Sequence, residues 1–250
     1  MDFTPDQASL DSKAGIQSNG NTTGTDPSCR TDYVNVNKDV KVLFVVDNSG
    51  SNVNINGTDI DKKWRLATIN KFIQTYQNKS NFYYGLITFQ NSVATPQIRS
   101  GDVGIFTNNL SMVTQGVANF ASTPDAGATP YQAAINLTKQ MINEDLKLKS
   151  SKPTAYVVVM ISDGYPSDSR YTETNGIANL KADTKTLVDM APGMIGVNTV
   201  FLYNAVKPSS AGKEPLQAMA AVGGGTFIIA DSNQTVSIAD SIKVPQEICK

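Results

Sequence analysis

Five short, nearly continuous apolar runs, rich in β-branched and aromatic residues, recur along the chain from Lys41 onward. Such runs predict strands that are buried on both faces, as in a parallel sheet. They are Lys41–Val46, Tyr83–Phe89, Tyr156–Ile161, Val197–Tyr203 and Thr226–Ala230. A shorter segment, Ser92–Ile98, contains Pro96 and closely follows the second run, which predicts a short antiparallel partner strand at the sheet edge.

Between these runs, apolar residues recur at intervals of three and four, which is the spacing of one helix face. The pattern is carried by Leu66, Ile69, Phe72, Ile73 and Tyr76, by Leu110, Val113, Val117 and Phe120, by Ala134, Leu137 and Met141, and by Ile177, Leu180, Thr184 and Leu187. A final helix is expected over Thr235–Lys243. Strands alternating with helices predict a doubly wound α/β fold, with a mostly parallel central sheet, one short antiparallel edge strand and helices on both faces.

The chain divides into two regions by composition. Residues 1–28 are rich in Asp, Ser, Thr, Asn and Gly and predict a flexible spacer, whereas 29–250 show no internal repeat and predict a single domain. No run of 18 apolar residues exists, so we expect no transmembrane segment. The N-terminal residues do not have the pattern of a signal peptide, and we expect that any signal peptide or lipid anchor has been removed.

Composition excludes several classes of function. The chain has no histidine, which excludes Ser-His-Asp and Cys-His catalytic pairs and histidine-ligated zinc. It has 21 Lys and Arg against 22 Asp and Glu, so it lacks the basic excess that drives binding to a phosphate backbone. We therefore expect no nucleic-acid partner.

The two cysteines, Cys29 and Cys249, lie near opposite ends of the chain. They are either free thiols in a reducing compartment or a disulfide that joins the ends of the domain in an oxidising one. Domain termini often lie close together, and a cross-link closing so long a loop stabilises by about 4 to 5 kcal/mol in the chain-entropy model. We predict the disulfide, and with it an exported protein at the cell surface, in the periplasm or in the extracellular space.

Three segments rich in side-chain oxygen follow the predicted strands or open a helix: Asp47–Ser51, Thr129–Pro130 and Asp163–Gly164. Carboxyl ends of parallel strands meet at one edge of the sheet, so these segments should lie together. Oxygen-only sites select hard cations such as Mg²⁺, Mn²⁺ or Ca²⁺. Each segment taken alone has an alternative interpretation, because Ser, Thr and Asp after a strand commonly cap the next helix and Pro is common at the first helical position.

Three motifs carry a resemblance to a known family: VVDNSGS (Val45–Ser51), GATP (Gly127–Pro130) and ISDG (Ile161–Gly164). Over about Val40–Ile242 the sequence resembles a von Willebrand factor type A domain, the Rossmann-like family that includes integrin I domains, with an intact metal-ion-dependent adhesion site. The resemblance implies that the cation is held, directly or through water, by Asp47, Ser49, Ser51, Thr129 and Asp163. Some family members also have a terminal disulfide opposite the metal face, similar to one between Cys29 and Cys249.

The resemblance implies a binding domain, in which a divalent cation accepts an acidic group from a protein or glycan partner. Mg²⁺ is the first candidate for that cation, with Mn²⁺ or Ca²⁺ as alternatives. An intracellular regulatory subunit that partners an AAA+ ATPase is the second candidate function, because some family members resemble that class. We expect no enzyme, since Asp47 is followed by Asn48 and Ser49 rather than by a DxD pattern, and no general base is apparent.

Several residues near the three motifs have a less certain place. Asn48, Gly50 and Gly164 are candidates for the rim of the site. Asp168 is either an outer-shell carboxylate or a surface charge. The segment Asn52–Asp61, called the inserted loop below, is longer than is usual in the family; we expect a solvated turn, with a loop that lines the rim as the alternative.

Overall fold

A computed structural model describes residues 38–53, 57–172, 174–204, 212–234 and 237–242, all of which belong to one compact unit. The apolar runs form its strands. The long ones are β1 (Asp39–Asp47), β2 (Phe82–Gln90), β6 (Thr154–Ser162), β7 (Ile195–Tyr203) and β8 (Gly224–Asp231), and the short ones are β3 (Val93–Pro96), β4 (Arg99–Ser100) and β5 (Val103–Gly104). Each of the five apolar runs forms a strand that extends a residue or more beyond the run at one or both ends, whereas the edge strand predicted over Ser92–Ile98 is shorter, Val93–Pro96.

Five α-helices lie within the described ranges. They are α1 (Lys63–Tyr76), α2 (Leu110–Ser122), α3 (Tyr131–Leu146), α4 (Gly176–Val188) and α5 (Lys213–Gly223). Two single-turn 3₁₀ segments, Gly50–Asn52 and Ile60–Lys62, lie between β1 and α1. Of the final helix predicted over Thr235–Lys243, the structure describes 237–242; these residues are not helical, and 239–241 form a turn.

The central sheet has six strands in the order β3-β2-β1-β6-β7-β8. All neighbouring strands are parallel except β2 and β3. These two pair antiparallel, with Gln90 opposite Val93 and Ile87 opposite Pro96. The mostly parallel sheet with one short antiparallel edge strand is therefore confirmed. Strands β4 and β5 form a separate two-stranded hairpin that the sequence pattern did not predict, because two residues are too few to show a period.

Side chains of the central strands alternate between two buried clusters, one on each face of the sheet. On one face, Val42 and Phe44 of β1 pack with apolar residues of α1 and α2. On the other, Leu43 and Val45 pack with apolar residues of α3, α4 and α5. Because both faces are covered by helices, every residue of β1 is buried, as a continuous apolar run requires.

Two predictions concern residues that the structure does not describe. The N-terminal spacer, 1–28, and both cysteines of the predicted disulfide, Cys29 and Cys249, lie outside the described ranges. The spacer, the disulfide and the domain boundary at residue 29 remain predictions.

Candidate metal centre

The candidate site lies where the order of the sheet changes direction. From β1 the chain first adds β2 and β3 on one side, and later adds β6, β7 and β8 on the other. Asp47 is the last residue of β1, and Asp163 directly follows the last residue of β6. Because Val46 pairs with Ile161 in parallel register, both carboxylates leave the same edge of the sheet side by side.

Asp47 is completely buried and both of its oxygens are held. Its Oδ1 accepts a hydrogen bond from the backbone N–H of Ser49 at 2.8 Å. Its Oδ2 accepts the hydroxyl of Ser162 at 2.5 Å, and the same hydroxyl oxygen accepts the N–H of Gly164 at 3.2 Å. These bonds determine the orientation of the carboxylate relative to both strand ends.

A chain of hydroxyls connects the first motif to Asp163. The hydroxyl oxygens of Ser49 and Ser51 lie 3.0 Å apart, and the Ser51 hydroxyl donates to Asp163 Oδ1 at 2.7 Å. The side chain of Thr58, from the inserted loop, lies close enough to the Asp163 carboxylate to oppose a rise of its pKa. Ser49, Ser51 and Thr58 thus surround Asp163 with hydroxyl oxygens.

The segment that carries Thr129 is fastened to the first motif through its backbone. Gly50 N–H donates to the Gly127 carbonyl at 3.0 Å, and Ala126 N–H donates to the Asn48 carbonyl at 2.9 Å. Gly127 has φ of 66°, and a Cβ there would lie 1.7 Å from Asn91 Oδ1, so only glycine fits. These contacts bring the second motif against the end of β1.

The hydroxyl of Thr129 lies close to Gly164, the residue that follows Asp163. A Cβ on Gly164 would lie 3.3 Å from Thr129 Oγ1 and 4.0 Å from Ser51 Oγ, which shows that both hydroxyls lie close to Gly164. Glycine at position 164 therefore leaves room for these oxygens. Since Asp163 adjoins Gly164, all five predicted ligands come together: Asp47, Ser49, Ser51, Thr129 and Asp163.

The helix-capping alternative fails for Thr129. Helix α3 begins at Tyr131, and its N-cap residue is Pro130, which makes no side-chain capping bond. Asp168 supplies that cap instead, because its Oδ2 accepts the N–H of Gln132 at 3.1 Å. Asp168 is therefore a helix-capping residue, a role that the sequence did not indicate, and its place in an outer shell stays a prediction.

Of the predicted rim residues, Asn48 and Gly50 connect the first motif to the segment before Thr129. Asn48 is completely buried, and its amide nitrogen donates to the Pro124 carbonyl at 2.9 Å. Gly50 contributes its backbone N–H to the Gly127 contact, and a Cβ at position 50 would lie 3.3 Å from Gly127 N. Both residues hold the first and second motifs together.

Two carboxyl groups are buried close together, so their charged forms are unfavourable when no cation is bound. Burial, together with the charge of Asp163, raises the pKa of Asp47 from 3.8 to about 7. Burial also raises the pKa of Asp163, although hydrogen bonds from Thr58 and Ser51 oppose that rise. A bound divalent cation would compensate both charges, which is the electrostatic requirement that this arrangement creates.

The donor chemistry fits a hard cation. The five side chains offer two carboxylates and three hydroxyls, the oxygen ligands that Mg²⁺, Mn²⁺ and Ca²⁺ prefer. In the part of the chain that the structure describes, no group of three or more His, Cys, Asp or Glu side chains could hold a metal ion. A cation at this edge would therefore depend on hydroxyl oxygens as well as on the two carboxylates.

The described part of the inserted loop is only partly solvated, whereas its Asn-rich sequence predicts a solvated turn. The structure describes 52, 53 and 57–61 of it, and among these Asn52, Gly57 and Asp59 are buried. Its two ends run side by side, because Thr58 N–H donates to the Ser51 carbonyl at 3.3 Å and Asp59 N–H donates to the Asn52 carbonyl at 3.2 Å. The loop therefore returns to the site, and Thr58 reaches Asp163.

Four residues that the sequence motifs do not include also shape the site: Thr58, Arg65, Tyr131 and Ser162. Tyr131 is buried beneath it, and its hydroxyl donates to the Gly164 carbonyl at 2.9 Å. Arg65 had a detectable signal, since it lies four residues before Ile69 and seven before Phe72, and so falls on the apolar stripe of α1. Thr58 had none, because only folding of the inserted loop brings it to Asp163.

The fold and the site together define an α/β domain with an oxygen-lined edge at its topological switch point. The sequence profile of the von Willebrand factor type A domain family matches residues 41–241. The chain belongs to this family. A search of curated proteins found no relative of the chain.

Three solved structures illustrate the fold. A manganese-loaded TRAP protein from Plasmodium vivax is 18% identical, with a TM-score of 0.51 over 79% of this chain and 70% of its own. The SpRpn10 VWA domain is 14% identical, with a TM-score of 0.54 over 80% of this chain and 92% of its own. The pilus adhesin SpaC from Lactobacillus rhamnosus GG is 17% identical, with a TM-score of 0.54 over 78% of this chain and 29% of its own.

Among the residues that the structure describes, no helix is long and apolar enough to cross a membrane.

Proposed function

We propose that this chain is a metal-dependent adhesion or ligand-binding domain that captures an acidic group of a protein or glycan partner. The observation that carries the proposal is the pairing of two buried carboxylates, Asp47 and Asp163, through a chain of hydroxyls at the switch point of the sheet. The function assigned is binding rather than catalysis. The site offers oxygen donors that are already engaged in holding one another, and no separate base lies among its five side chains.

Asp47, Ser49, Ser51, Thr129 and Asp163 would hold the cation, directly or through water. Mg²⁺ is the cation we propose first, with Mn²⁺ or Ca²⁺ able to use the same oxygens. Only two of the five side chains carry charge, so they balance a divalent ion without an anionic excess. When bound, such an ion supplies an electrophilic centre that accepts an oxygen from a partner, most favourably a carboxylate.

One structural neighbour supports an adhesive role and an exported location, and another supports a bound divalent cation. SpaC is a pilus adhesin, and the TRAP structure is loaded with manganese. We propose the same type of function for this chain at the cell surface, in the periplasm or in the extracellular space, where the predicted Cys29–Cys249 disulfide would be stable. The SpRpn10 neighbour keeps the regulatory-subunit function as the alternative.

A peptide-display experiment tests the proposed function. We expect a random library with one invariant central Asp to yield peptides that the protein retains in Mg²⁺ and releases in EDTA. The same peptides with Asn at that position should be retained at least about tenfold less, because an amide is a weaker ligand for a hard cation than a carboxylate. Equal retention of the Asp and Asn peptides, or retention that survives EDTA, would contradict the proposal.

Cation binding should depend on pH because protons compete for Asp47. Its pKa of about 7 predicts that Mn²⁺ affinity falls as the pH is lowered from about 8 to about 5.5, by up to about tenfold per unit below the pKa. Calorimetric titration at several pH values measures the effect. An affinity that does not change over this range would show that Asp47 is not a ligand.

The same pKa shift predicts how the metal-free protein responds to pH. The folded state binds the Asp47 proton more tightly than the unfolded state, whose pKa is near 3.8. Its contribution to stability is therefore fully present below 3.8 and is lost as the pH rises to about 7. Thermal unfolding in EDTA should show this loss, and saturating Mn²⁺ should offset it.

Replacing Thr129 by valine separates its role as a ligand from a role in capping. We expect Mn²⁺ binding to weaken about tenfold, because valine has the shape of threonine without the hydroxyl oxygen. The melting temperature in EDTA should be nearly unchanged, since Asp168 caps α3. Thr129→Ser is the control and should retain the affinity. A large loss of stability with normal Mn²⁺ affinity would restore the capping interpretation.

A further inference from the structure

Arg65, in the first turn of α1, is completely buried beside the candidate site and uses every donor it has. Its Nε donates to Asp59 Oδ2 at 2.8 Å, and its Nη2 donates to Asp125 Oδ2 at 2.8 Å and to the Asp59 carbonyl at 3.2 Å. Its Nη1 donates to Asp125 Oδ1 at 3.0 Å and to the backbone carbonyl of Asp47 at 2.5 Å. A guanidinium has five N–H groups, so all of them are satisfied.

The partners of Arg65 belong to the segments that carry the site. Asp47 ends β1 and begins the first motif. Asp125 lies two residues before Gly127, where the second motif begins. Asp59 is next to Thr58, the inserted-loop residue that lies close to Asp163. One planar side chain therefore connects three stretches of backbone that supply or contact the candidate ligands.

Asp59 also fastens α1 to this centre. Its Oδ1 accepts the N–H of Trp64 at 2.8 Å, and its Oδ2 accepts the N–H of Arg65 at 3.0 Å. Arg65 is thus held at its backbone by the same carboxylate that its side chain binds. The helix cannot move relative to the inserted loop without breaking these bonds.

Lys62 completes the group and balances its charge. Its Nζ lies 3.1 Å from Asp125 Oδ1 and donates to the Thr123 carbonyl at 2.7 Å. Asp59, Lys62, Arg65 and Asp125, called the Arg65 cluster below, contain two anions and two cations. The cluster can therefore lie beside the two carboxylates of the site without adding net charge to them.

We propose that Arg65 is a positioning residue for the cation site, and that its guanidinium holds the end of β1, the inserted loop and the segment before Thr129 in the arrangement that binds the ion. This inference rests on the proposed function. Among the five candidate ligands Arg65 hydrogen-bonds only to Asp47, through its backbone carbonyl, so Arg65 is not itself a ligand. Lysine could keep the charge but could not make five planar hydrogen bonds, so the geometry of arginine is what the arrangement needs.

The test compares Arg65→Lys with a matched variant in another buried ion pair. Lys41 Nζ lies 2.5 Å from Asp145 Oδ2, and both side chains are largely buried. Asp145 lies near the C-terminal end of α3, about 20 Å along the helix from Tyr131 at the candidate site. Asp145→Asn therefore disturbs a buried pair of the same kind far from the ligands.

Mn²⁺ binding by calorimetry is the first measurement. We expect Arg65→Lys to weaken Mn²⁺ at least about tenfold, and Asp145→Asn to leave the affinity within about twofold of the wild type, even where their melting temperatures fall equally. The inference is overturned when the wild type binds Mn²⁺ and Arg65→Lys binds it equally well. A wild type that does not bind Mn²⁺ overturns the proposed function together with this inference.

Hydrogen exchange in the metal-free protein is the second measurement and needs no cation. The informative amides are those of Gly50 and Ala126, whose bonds join the first and second motifs. In Arg65→Lys they should exchange about tenfold faster relative to core amides of β6, because the loops open locally. In Asp145→Asn that ratio should stay at the wild-type value. A ratio unchanged by Arg65→Lys would contradict the positioning role.

Discussion

Replacing Asp47 by asparagine should weaken Mn²⁺ binding by at least about 100-fold and leave the fold intact. Asp47 is one of only two carboxylates in the candidate site, so its loss removes half of the negative charge that compensates the ion. Asparagine has the same shape, and its oxygen can still accept the Ser49 N–H while its nitrogen donates to Ser162. Calorimetric titration with Mn²⁺, with circular dichroism to confirm folding, measures both effects.

The metal-free form of this variant gives an independent result. At about pH 8 the Asp47 carboxylate is charged and buried in the wild type, and asparagine removes that unfavourable charge. We expect the variant in EDTA to melt at the same temperature as the wild type or higher. Asp189→Asn, in an exposed i,i+4 ion pair of α4 with Lys185, is the charge-matched control and should bind Mn²⁺ normally. Normal Mn²⁺ binding by Asp47→Asn would remove the basis of the proposed function.

Replacing Arg65 by methionine should lower the free energy of unfolding by about 3 to 5 kcal/mol, the cost of leaving a buried charge without its partner. Asp59 bears this cost, because Arg65 is its ion-pair partner and the Asp59 side chain is only 2% exposed. Asp125 loses less, since Lys62 remains 3.1 Å away. Urea denaturation in EDTA measures the change without any contribution from a bound cation.

A double-variant cycle identifies which charge is responsible. Adding Asp59→Asn to Arg65→Met removes the uncompensated charge and keeps one oxygen for the Trp64 N–H, so the cycle should show a coupling energy of about 1 to 3 kcal/mol. Adding Asp125→Asn instead should recover less, because it leaves Lys62 without its carboxylate. Equal recovery by the two second substitutions would show that the charges of the Arg65 cluster are not distributed as described.

Four of the five candidate ligands could be singled out because they lie at or just after the end of a strand that an apolar run identifies. Asp47 and Asp163 come at the ends of two such runs, and parallel strands place their carboxyl ends together. Thr129 was harder to assign, since Thr-Pro at a helix start also suits a capping pair. Only the position of Asp168 over the N-terminus of α3 decided between the two interpretations.

Two described residues of the inserted loop differ from what its composition predicts. Its asparagine and glycine content is typical of a solvated turn, yet Asn52 and Asp59 are buried and Thr58 reaches Asp163. The burial of Asp59 depends on Arg65. Arg65 is charged too, and it lies on the apolar face of α1. Neither residue fits the usual pattern of hydrophobic burial alone, and each becomes compatible with the core only when paired with the other.

The sequence by itself determined the strands, the helix faces and the oxygen donors at the strand ends, because hydrophobic periodicity and the succession of elements along the chain are local properties. Only the tertiary structure decided how those donors are held: which hydroxyls bond to which carboxylate, which residue caps α3, and that Arg65 connects three segments beneath the site. These contacts join residues distant in sequence, such as Ser51 and Asp163, and their formation depends on burial and charge pairing that exist only after the chain has folded.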